Sequence, residues 1–309
     1  TNRASVVVPD QKKSDEQYLS PWLYQTAVTN KSSDEYKFVP LIEERSALPA
    51  LYITCFGHFE VRRFTSTSQP LDLCKNSKGK MILRYLIALP KRWESMDILM
   101  GILWPDDSPA VAHHKLQVAV SALRRSLNGN CVDEPGAGYI LCKGQTYQLN
   151  PDVTIQTDVD QFLALYQSGQ QANDPEEALL SYEKACNLYT GPFLIEDLYA
   201  DWSFLQRENL NRIYVVMCSK LTEIHMEMGR YEDAIKWANA LLKINHCDEM
   251  AHRHLIRIYA LDGRRSEALR QYQYCQRVLE EELGVQPLPE TQHLFAQILN
   301  GTDTVPVTL

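Results

Sequence analysis

Apolar residues in the segment from residue 51 to residue 104 recur first every second residue and then every third or fourth. LYITCFGHFEVRRF alternates, is rich in β-branched and aromatic residues, and breaks at Gly57 and His58, which predicts two short antiparallel strands. QPLDL is a candidate for a third strand. The helical spacing of KGKMILRYLIAL predicts a helix that ends before Pro90. SMDILMGILWP predicts a second helix with Ser95 as its cap.

A third helix and a hairpin complete this part of the chain. Ser108 and Pro109 fit the cap and the first position of a helix that continues to Asn128. GYILCKGQTYQL alternates on both sides of Gly144-Gln145, which predicts a β-hairpin with a two-residue turn. Strands, three helices and a terminal hairpin together predict a winged helix-turn-helix.

The second half of the chain is helical and repetitive. Leu221, Gly229 and Ala234 recur 34 residues later as Leu255, Gly263 and Ala268, a period typical of tetratricopeptide repeats. A weaker, earlier unit carries Leu165, Ala178, Tyr182 and Ala185, and LGVQPLPETQHLFAQIL restarts a helix that is expected to cap the stack. The predicted fold is therefore mainly α with a small β component, a winged helix-turn-helix followed by an α-helical tetratricopeptide-like repeat domain.

The predicted third helix has two different faces. At 100° per residue, the core stripe consists of Leu116, Val120, Leu123 and Leu127. The opposite face and its flanks carry groups that suit a DNA major groove: His114, Lys115, Gln117, Val118, Ser121, Arg124 and Arg125. Arginine pairs with guanine, glutamine with adenine, and a valine methyl contacts the thymine methyl. The alternative is an ordinary solvated helix face with two arginines.

The net charge supports a DNA-binding face only when it is counted separately for each segment of the chain. The chain carries a formal net charge of −8, which alone argues against nucleic acid. Residues 48–150 carry +4, residues 151–309 carry −11 and residues 1–47 carry −1. The local charge sets the field that a phosphate backbone meets. The basic segment coincides with the predicted winged helix.

Composition places the remaining limits. Residues 1–47 are polar and lack a sustained period, so we expect a linker or partly disordered extension, then a DNA-binding domain at 48–150, repeats at 151–300 and a tail at 301–309. Eight scattered cysteines without a secretion signal indicate reduced thiols in a cytoplasmic protein. No apolar run is long enough to cross a membrane. The chain starts at Thr1 rather than Met, so its upstream continuation is open.

Other chemistry has weak support in the sequence. NHCDEMAHRH gathers His246, Cys247, Glu249, His252 and His254, but the two last histidines are two residues apart and point to different sides of a helix, which favours capping and repeat-turn roles over a metal site. No nucleophile elbow or phosphate loop is present. We therefore expect no catalytic activity, no metal and no cofactor.

Several segments in sequence order resemble one known family. LYITCFGHFEVRR, CKNSKGKMILRYLI, ILWPDDSPAVAHHKLQVAVSALRRSL, LYTGPFLIEDLYADW and DGRRSEALRQYQYCQRVLEEELGVQP are similar to the SARP-like (antibiotic regulatory protein) transcriptional regulators. The resemblance spans roughly residues 50 to 300. It implies an OmpR-type winged helix fused to a bacterial transcriptional activator domain of tetratricopeptide-like repeats.

The resemblance also implies roles for particular residues. The helix from Ala110 to Asn128 would be the recognition helix, with Arg124 and Arg125 contacting bases or phosphates. The hairpin that carries Lys143 would be a wing that reaches the minor groove. The loop between the second and third helices would face RNA polymerase, and it consists of Trp104, Pro105, Asp106 and Asp107.

The sequence as a whole predicts a sequence-specific DNA-binding transcription regulator, an activator that binds double-stranded promoter DNA and recruits RNA polymerase. Lys143 is the one positive charge of the wing, so tight binding is expected to need a second copy of the chain on repeated sites, or polymerase alongside. The alternative is a protein-interaction adaptor in which the repeats bind a partner and the winged helix is a docking module. The repeats could equally serve as a structural scaffold.

Overall fold

Two strands form from the alternating segment near residue 51. In the computed structural model, which describes residues 50–63, 70–73, 77–129 and 138–301, β1 (Leu51–Thr54) and β2 (Glu60–Arg63) pair antiparallel, as predicted. Gly57 joins them in the left-handed region, at φ 70°. Of the candidate third strand, the described part contributes one isolated bridge, from Pro70 to Arg62. The predicted extension, residues 1–47, lies outside the described residues.

The three predicted helices are confirmed. Each presents an apolar stripe to one core, in which Ile82, Leu86, Leu99, Leu116 and Leu123 are almost completely buried. The second helix begins as predicted, since the Ser95 hydroxyl accepts a hydrogen bond from the amide of Ile98 at 3.3 Å. The bounds of the helices are α1 (Ser77–Ala88), α2 (Met96–Leu103) and α3 (Pro109–Asn128).

A second sheet contains the predicted hairpin, β4 (Ile140–Lys143) and β5 (Thr146–Leu149). A short strand that the pattern did not predict, β3 (Trp93–Ser95), pairs antiparallel with β5, so the strand order is β3-β5-β4. Another unpredicted strand, β6 (Ile155–Thr157), pairs parallel with β1 and gives the first sheet the order β2-β1-β6. Three residues are too few to show an alternation.

The described residues up to 163 group with Phe193–Gln206 in one compact unit, and residues 164–192 group with those from 207 onward in another. In the first unit, Asp158 is buried and accepts hydrogen bonds from the amides of Cys55 and Phe56. Phe193 forms a bridge with Phe56, and Arg84 pairs with Asp197. The boundary at residue 150 that the sequence suggested remains a prediction.

The second half is helical, as predicted. Helix α4 starts with a reciprocal cap, in which the Asp160 amide donates to the Thr157 hydroxyl and the Thr157 amide donates to the Asp160 carboxylate. None of the helices within the described ranges is long and apolar enough to span a bilayer. The bounds are α4 (Asp158–Gln171), α5 (Pro175–Leu188), α6 (Asp201–Glu227), α7 (Tyr231–Ile244), α8 (Glu249–Leu261), α9 (Arg265–Leu283) and α10 (Pro289–Asn300).

The structure repeats with the 34-residue period of the sequence. Equivalent positions of the two units have the same environment: Ala234 and Ala268 are both fully buried between paired helices. Gly229 and Gly263 both take a left-handed conformation, at φ 68° and 75°, which ends α6 and α8. Helix α10 packs Leu294 and Ile298 on the core of the last pair, as expected for a cap.

Candidate nucleic-acid interface

The long helix α3 buries one face and exposes the other. The stripe of Leu116, Val120, Leu123 and Leu127 is at most 1% exposed. His114, Val118, Ser121 and Arg125 are all exposed on the opposite face, and Val118 retains 56% of its surface. An apolar side chain this open on a helix without a covering element is available for contact with a ligand. The structure therefore brings these four predicted residues together on one free surface.

Two flanking residues of this face already have partners. The Lys115 ammonium lies 2.6 Å from the Asp107 carboxylate, with both side chains partly exposed. The Gln117 amide lies 2.9 Å from a ring nitrogen of His113, one turn earlier on the helix. Such surface contacts contribute roughly 0–1 kcal/mol, so a phosphate or a base edge can compete for either side chain.

Arg124 differs from its neighbour Arg125. Its Nε donates a hydrogen bond to the carbonyl oxygen of Ile140 at 3.0 Å, and its guanidinium lies 5.9 Å from the ring centre of Tyr147. Burial raises the pKa of the Tyr147 hydroxyl, which further disfavours ionisation of the ring beside this cation. Arg124 thus links α3 to the hairpin, whereas Arg125 is exposed to solvent. The sequence predicted the same role for Arg124 and Arg125, but the two side chains have different surroundings.

The hairpin presents a narrow, exposed tip. Gly144 takes φ 59°, which a two-residue turn requires at that position. The Thr146 hydroxyl donates to the Lys143 carbonyl at 2.8 Å and closes the turn. Lys143 itself is exposed at the end of β4. A tip of this kind, with one cation, has the shape and charge of a wing that enters a groove.

The loop between α2 and α3 exposes part of its predicted contact residues. Pro105 and Asp106 are exposed, whereas Asp107 is engaged by Lys115. Trp104 is partly buried, and the Lys78 ammonium lies 5.6 Å from the centre of its ring. Asp106 is therefore the exposed acidic group of this loop that has no ion pair with another described residue.

One residue that supports the face was missed in the sequence. Arg63, on β2, donates a hydrogen bond to the carbonyl of Leu127 and another to that of Ser126 at 3.4 Å. A cation at the last carbonyls of a helix satisfies unpaired acceptors and interacts favourably with the helix dipole. Periodicity carries no signal for this contact, because its partners lie about sixty positions away in the sequence.

The histidine-rich segment at residues 246–254 has the local roles that the sequence favoured. One ring nitrogen of His252 lies 2.9 Å from the His246 carbonyl oxygen and the other lies 2.7 Å from the Gln271 amide. The Asp248 carboxylate caps α8 by accepting from the amide of Ala251. Within the described ranges no group of three or more His, Cys, Asp or Glu is arranged to hold a metal ion.

Comparison with known proteins finds similarity to transcriptional regulators over most of the chain. Residues 157–299 match the family described as the bacterial transcriptional activator domain. Over 227 residues the chain is 26% identical to the transcriptional regulatory protein MoaR1 of Mycobacterium tuberculosis, a match that covers 72% of each protein. It is also 26% identical to the regulatory protein AfsR of Streptomyces griseus over 72% of this chain, but this match spans only 22% of AfsR.

A solved structure shows the same fold. The structure of Mycobacterium tuberculosis EmbR, in complex with a low affinity phosphopeptide, superposes with a TM-score of 0.67 at 24% sequence identity. The likeness covers 84% of this chain and 67% of that one. The arrangement of a winged helix before a helical repeat domain is therefore shared with a protein of distant sequence.

Proposed function

We propose, from the premise that the chain is a SARP-like transcriptional regulator with a bacterial transcriptional activator domain, that it activates transcription by binding promoter DNA through α3 and the β4–β5 hairpin. The observation that carries the proposal is the free outer face of α3, with Val118 and Arg125 exposed beside the hairpin to which Arg124 is tied. No catalytic step is part of this function.

Chemistry assigns each side chain of this face a role. Arg125 donates to guanine or phosphate, Gln117 exchanges its His113 contact for an adenine edge, and Val118 packs on a thymine methyl. Lys115 and Lys143 neutralise phosphates, while His114 and Ser121 add hydrogen bonds. The net charge of +4 on residues 48–150 attracts the duplex, although the chain as a whole is acidic.

The test is selection of genomic DNA fragments with the purified chain, followed by anisotropy titration of a recovered site at about 50 and 200 mM salt. Arg125→Ala should weaken binding by about 1–3 kcal/mol, which is roughly 5- to 150-fold. Arg270→Ala, a matched control on α9 with a side chain 72% exposed, should bind like the wild type. Equal affinity of the Arg125 variant and the wild type would remove α3 from the interface.

Recruitment of RNA polymerase is assigned to the α2–α3 loop. Asp106 is exposed there, so Asp106→Asn should leave DNA affinity unchanged and reduce transcription from the selected promoter in a purified polymerase assay. A loss of DNA affinity in the variant would show instead that Asp106 supports the DNA interface.

Two copies of the chain on repeated sites are the proposed bound form, because one exposed face and one wing cation make few phosphate contacts for a single copy. Footprints of the selected fragments should then show two protected half-sites at a fixed spacing near one or two helical turns. A single protected site with full affinity would assign binding to one copy.

A further inference from the structure

Helix α8 presents a charged face that the DNA-binding function does not use. At 100° per residue, Met250, Arg253 and Arg257 fall within about 60° of one another. The opposite side of the helix packs Leu255 and Ile258 into a core with Ala234 and Ala238. Met250 is 43% exposed, and the side chain of Arg253 is 12% exposed. Solvent therefore reaches this face mainly at Met250, its apolar end.

Arg257 has no counter-charge among the residues that the structure describes. Its Nε is buried without a hydrogen-bond partner, and no ion pair or hydrogen bond of its guanidinium is found in the described part of the chain. Burial first, and then the neighbouring Arg253 cation, lower its pKa. A charge withdrawn from water without a partner is costly, and a second cation beside it adds to the cost.

The groups around Arg257 do not neutralise it. Among the described residues, Arg253 donates a hydrogen bond to the Met250 sulfur at 3.5 Å and has one carboxylate near it, that of Glu290 at 4.0 Å. Glu223, on α6, forms an ion pair with the Lys220 ammonium at 2.8 Å. Burial lowers the pKa of His254, which disfavours a third positive charge beside the two arginines. Two adjacent guanidinium groups are thus undercompensated in a segment whose net charge is −11.

We propose that Arg253 and Arg257 form a binding subsite for a carboxylate of an acidic peptide, with Met250 packing against an apolar side chain next to it. A bidentate contact between a carboxylate and the terminal nitrogens of a guanidinium group supplies the missing counter-charge. Repeat stacks use their exposed helix faces to bind extended segments. The exposed Met250 beside the two arginines favours a peptide, which offers an apolar side chain next to its carboxylate, over a DNA backbone.

This inference goes beyond the proposed DNA interface, and it predicts binding of a defined probe. The full chain is titrated with a short fluorescein-labelled peptide of alternating Leu, Asp and Glu, and with a matched peptide of Leu, Asn and Gln. The acidic peptide should bind at least about tenfold more tightly, since charge-assisted hydrogen bonds to arginine are lost in the neutral one. Arg257→Gln should remove this preference, and Arg270→Gln should retain it.

Absence of binding, equal binding of the two peptides, or an equal loss in the Arg257 and Arg270 variants would overturn the subsite. The site would likewise be assigned to nucleic acid if duplex DNA displaced the bound peptide and if Arg257→Gln abolished the binding of that DNA. The affinity of each variant for the selected promoter site is measured in parallel. Failure of the peptide experiment with intact DNA binding, or the reverse, therefore separates the two proposals.

A second measurement does not depend on the choice of peptide. If Arg257 is held without a partner in the free protein, Arg257→Met should raise the Tm, because it replaces a half-buried charge with an apolar side chain of similar length. Arg270→Met, on an exposed surface, should leave the Tm unchanged. A lower Tm of the Arg257 variant would show that the arginine stabilises the repeat itself and would overturn the subsite.

Discussion

At the scale of single residues, the adjacent arginines of α3 are expected to behave differently. Arg124→Ala removes the hydrogen bond to Ile140 and the contact with the Tyr147 ring, so it should lower the free energy of unfolding by about 1–2 kcal/mol. Arg125→Ala removes an exposed side chain and should change it by less than about 0.5 kcal/mol. Urea denaturation followed by circular dichroism measures both values.

The same pair separates stability from recognition. Arg125→Ala should weaken binding of the selected site, whereas Arg124→Lys, which keeps the charge but cannot reproduce the guanidinium geometry, should still lose the link to the hairpin. Equal stability of both alanine variants would mean that the contact between Arg124 and Ile140 contributes nothing in solution.

At the scale of the helix, one glycine permits the pairing of α4 with α5. A Cβ atom added at Gly169 would lie 2.4 Å from the ring of Tyr182, a distance that forces the ring or the helix to move. Gly169→Ala should therefore destabilise the protein by about 1–3 kcal/mol, despite the higher helix propensity of alanine. Thermal unfolding of the variant measures the loss.

Gly101 is a matched control within α2. No atom of the described residues lies within 4 Å of a Cβ added there, so Gly101→Ala should stabilise the protein by about 0.5–1 kcal/mol through helix propensity alone. If both alanine variants shifted the Tm upwards, the close approach of Tyr182 would have no energetic consequence.

The junction of β1 with α4 is expected to depend on pH through Asp158. Its carboxylate accepts backbone hydrogen bonds from Cys55, Phe56 and Val159, yet burial outweighs them and raises its pKa to about 6. In the unfolded chain the pKa of aspartate is about 3.9. The folded protein thus binds the proton more tightly, and this group lowers stability as the pH rises from about 4 to about 6.

Asp158→Asn removes that titration. The stability of the variant relative to the wild type should increase with pH over this interval, by up to about 3 kcal/mol, and level off above it. Urea denaturation of wild type and variant at pH 4.5 and 7.0, which span most of the ionisation of Asp158, provides the comparison. Asp106→Asn, a substitution of an exposed residue, is the control for the change in net charge. A relative stability that stays constant, or falls, would contradict the raised pKa.

The elements that the sequence predicted correctly are those whose signal is local. Helices α1 to α3, the β4–β5 hairpin and the repeat pairs show their own spacing, caps and glycines, and the outer face of α3 follows from the same spacing. Strands β3 and β6 are too short to alternate. The use of Arg63 as a cap and of Arg124 as a link also could not be predicted, because their acceptors are distant in sequence.

At the scale of the whole molecule, the same limit applies to domain boundaries. Composition and charge change near residue 150, which is why the sequence suggests a DNA-binding domain at 48–150. Contacts place Phe193–Gln206 in one compact unit with the described residues up to 163, although Phe193–Gln206 fall within the range that matches the activator-domain family. The range of the domain family and the compact units therefore do not coincide.

A fragment of residues 48–150 is consequently expected not to fold cooperatively. A fragment of residues 48–206 is expected to do so. The shorter fragment lacks β6 and the ring of Phe162, whose centre lies 5.0 Å from that of the Phe56 ring. It also lacks the carboxylate of Asp197, which pairs with the nearly buried Arg84. Loss of one partner of a buried ion pair alone costs about 3–5 kcal/mol, a large part of the 5–15 kcal/mol that holds a domain together. Thermal unfolding and NMR dispersion of both fragments test this. A cooperative transition of the shorter fragment at the Tm of the longer one would show that the winged helix is autonomous, and Asp197→Asn in the full chain would then leave its Tm unchanged.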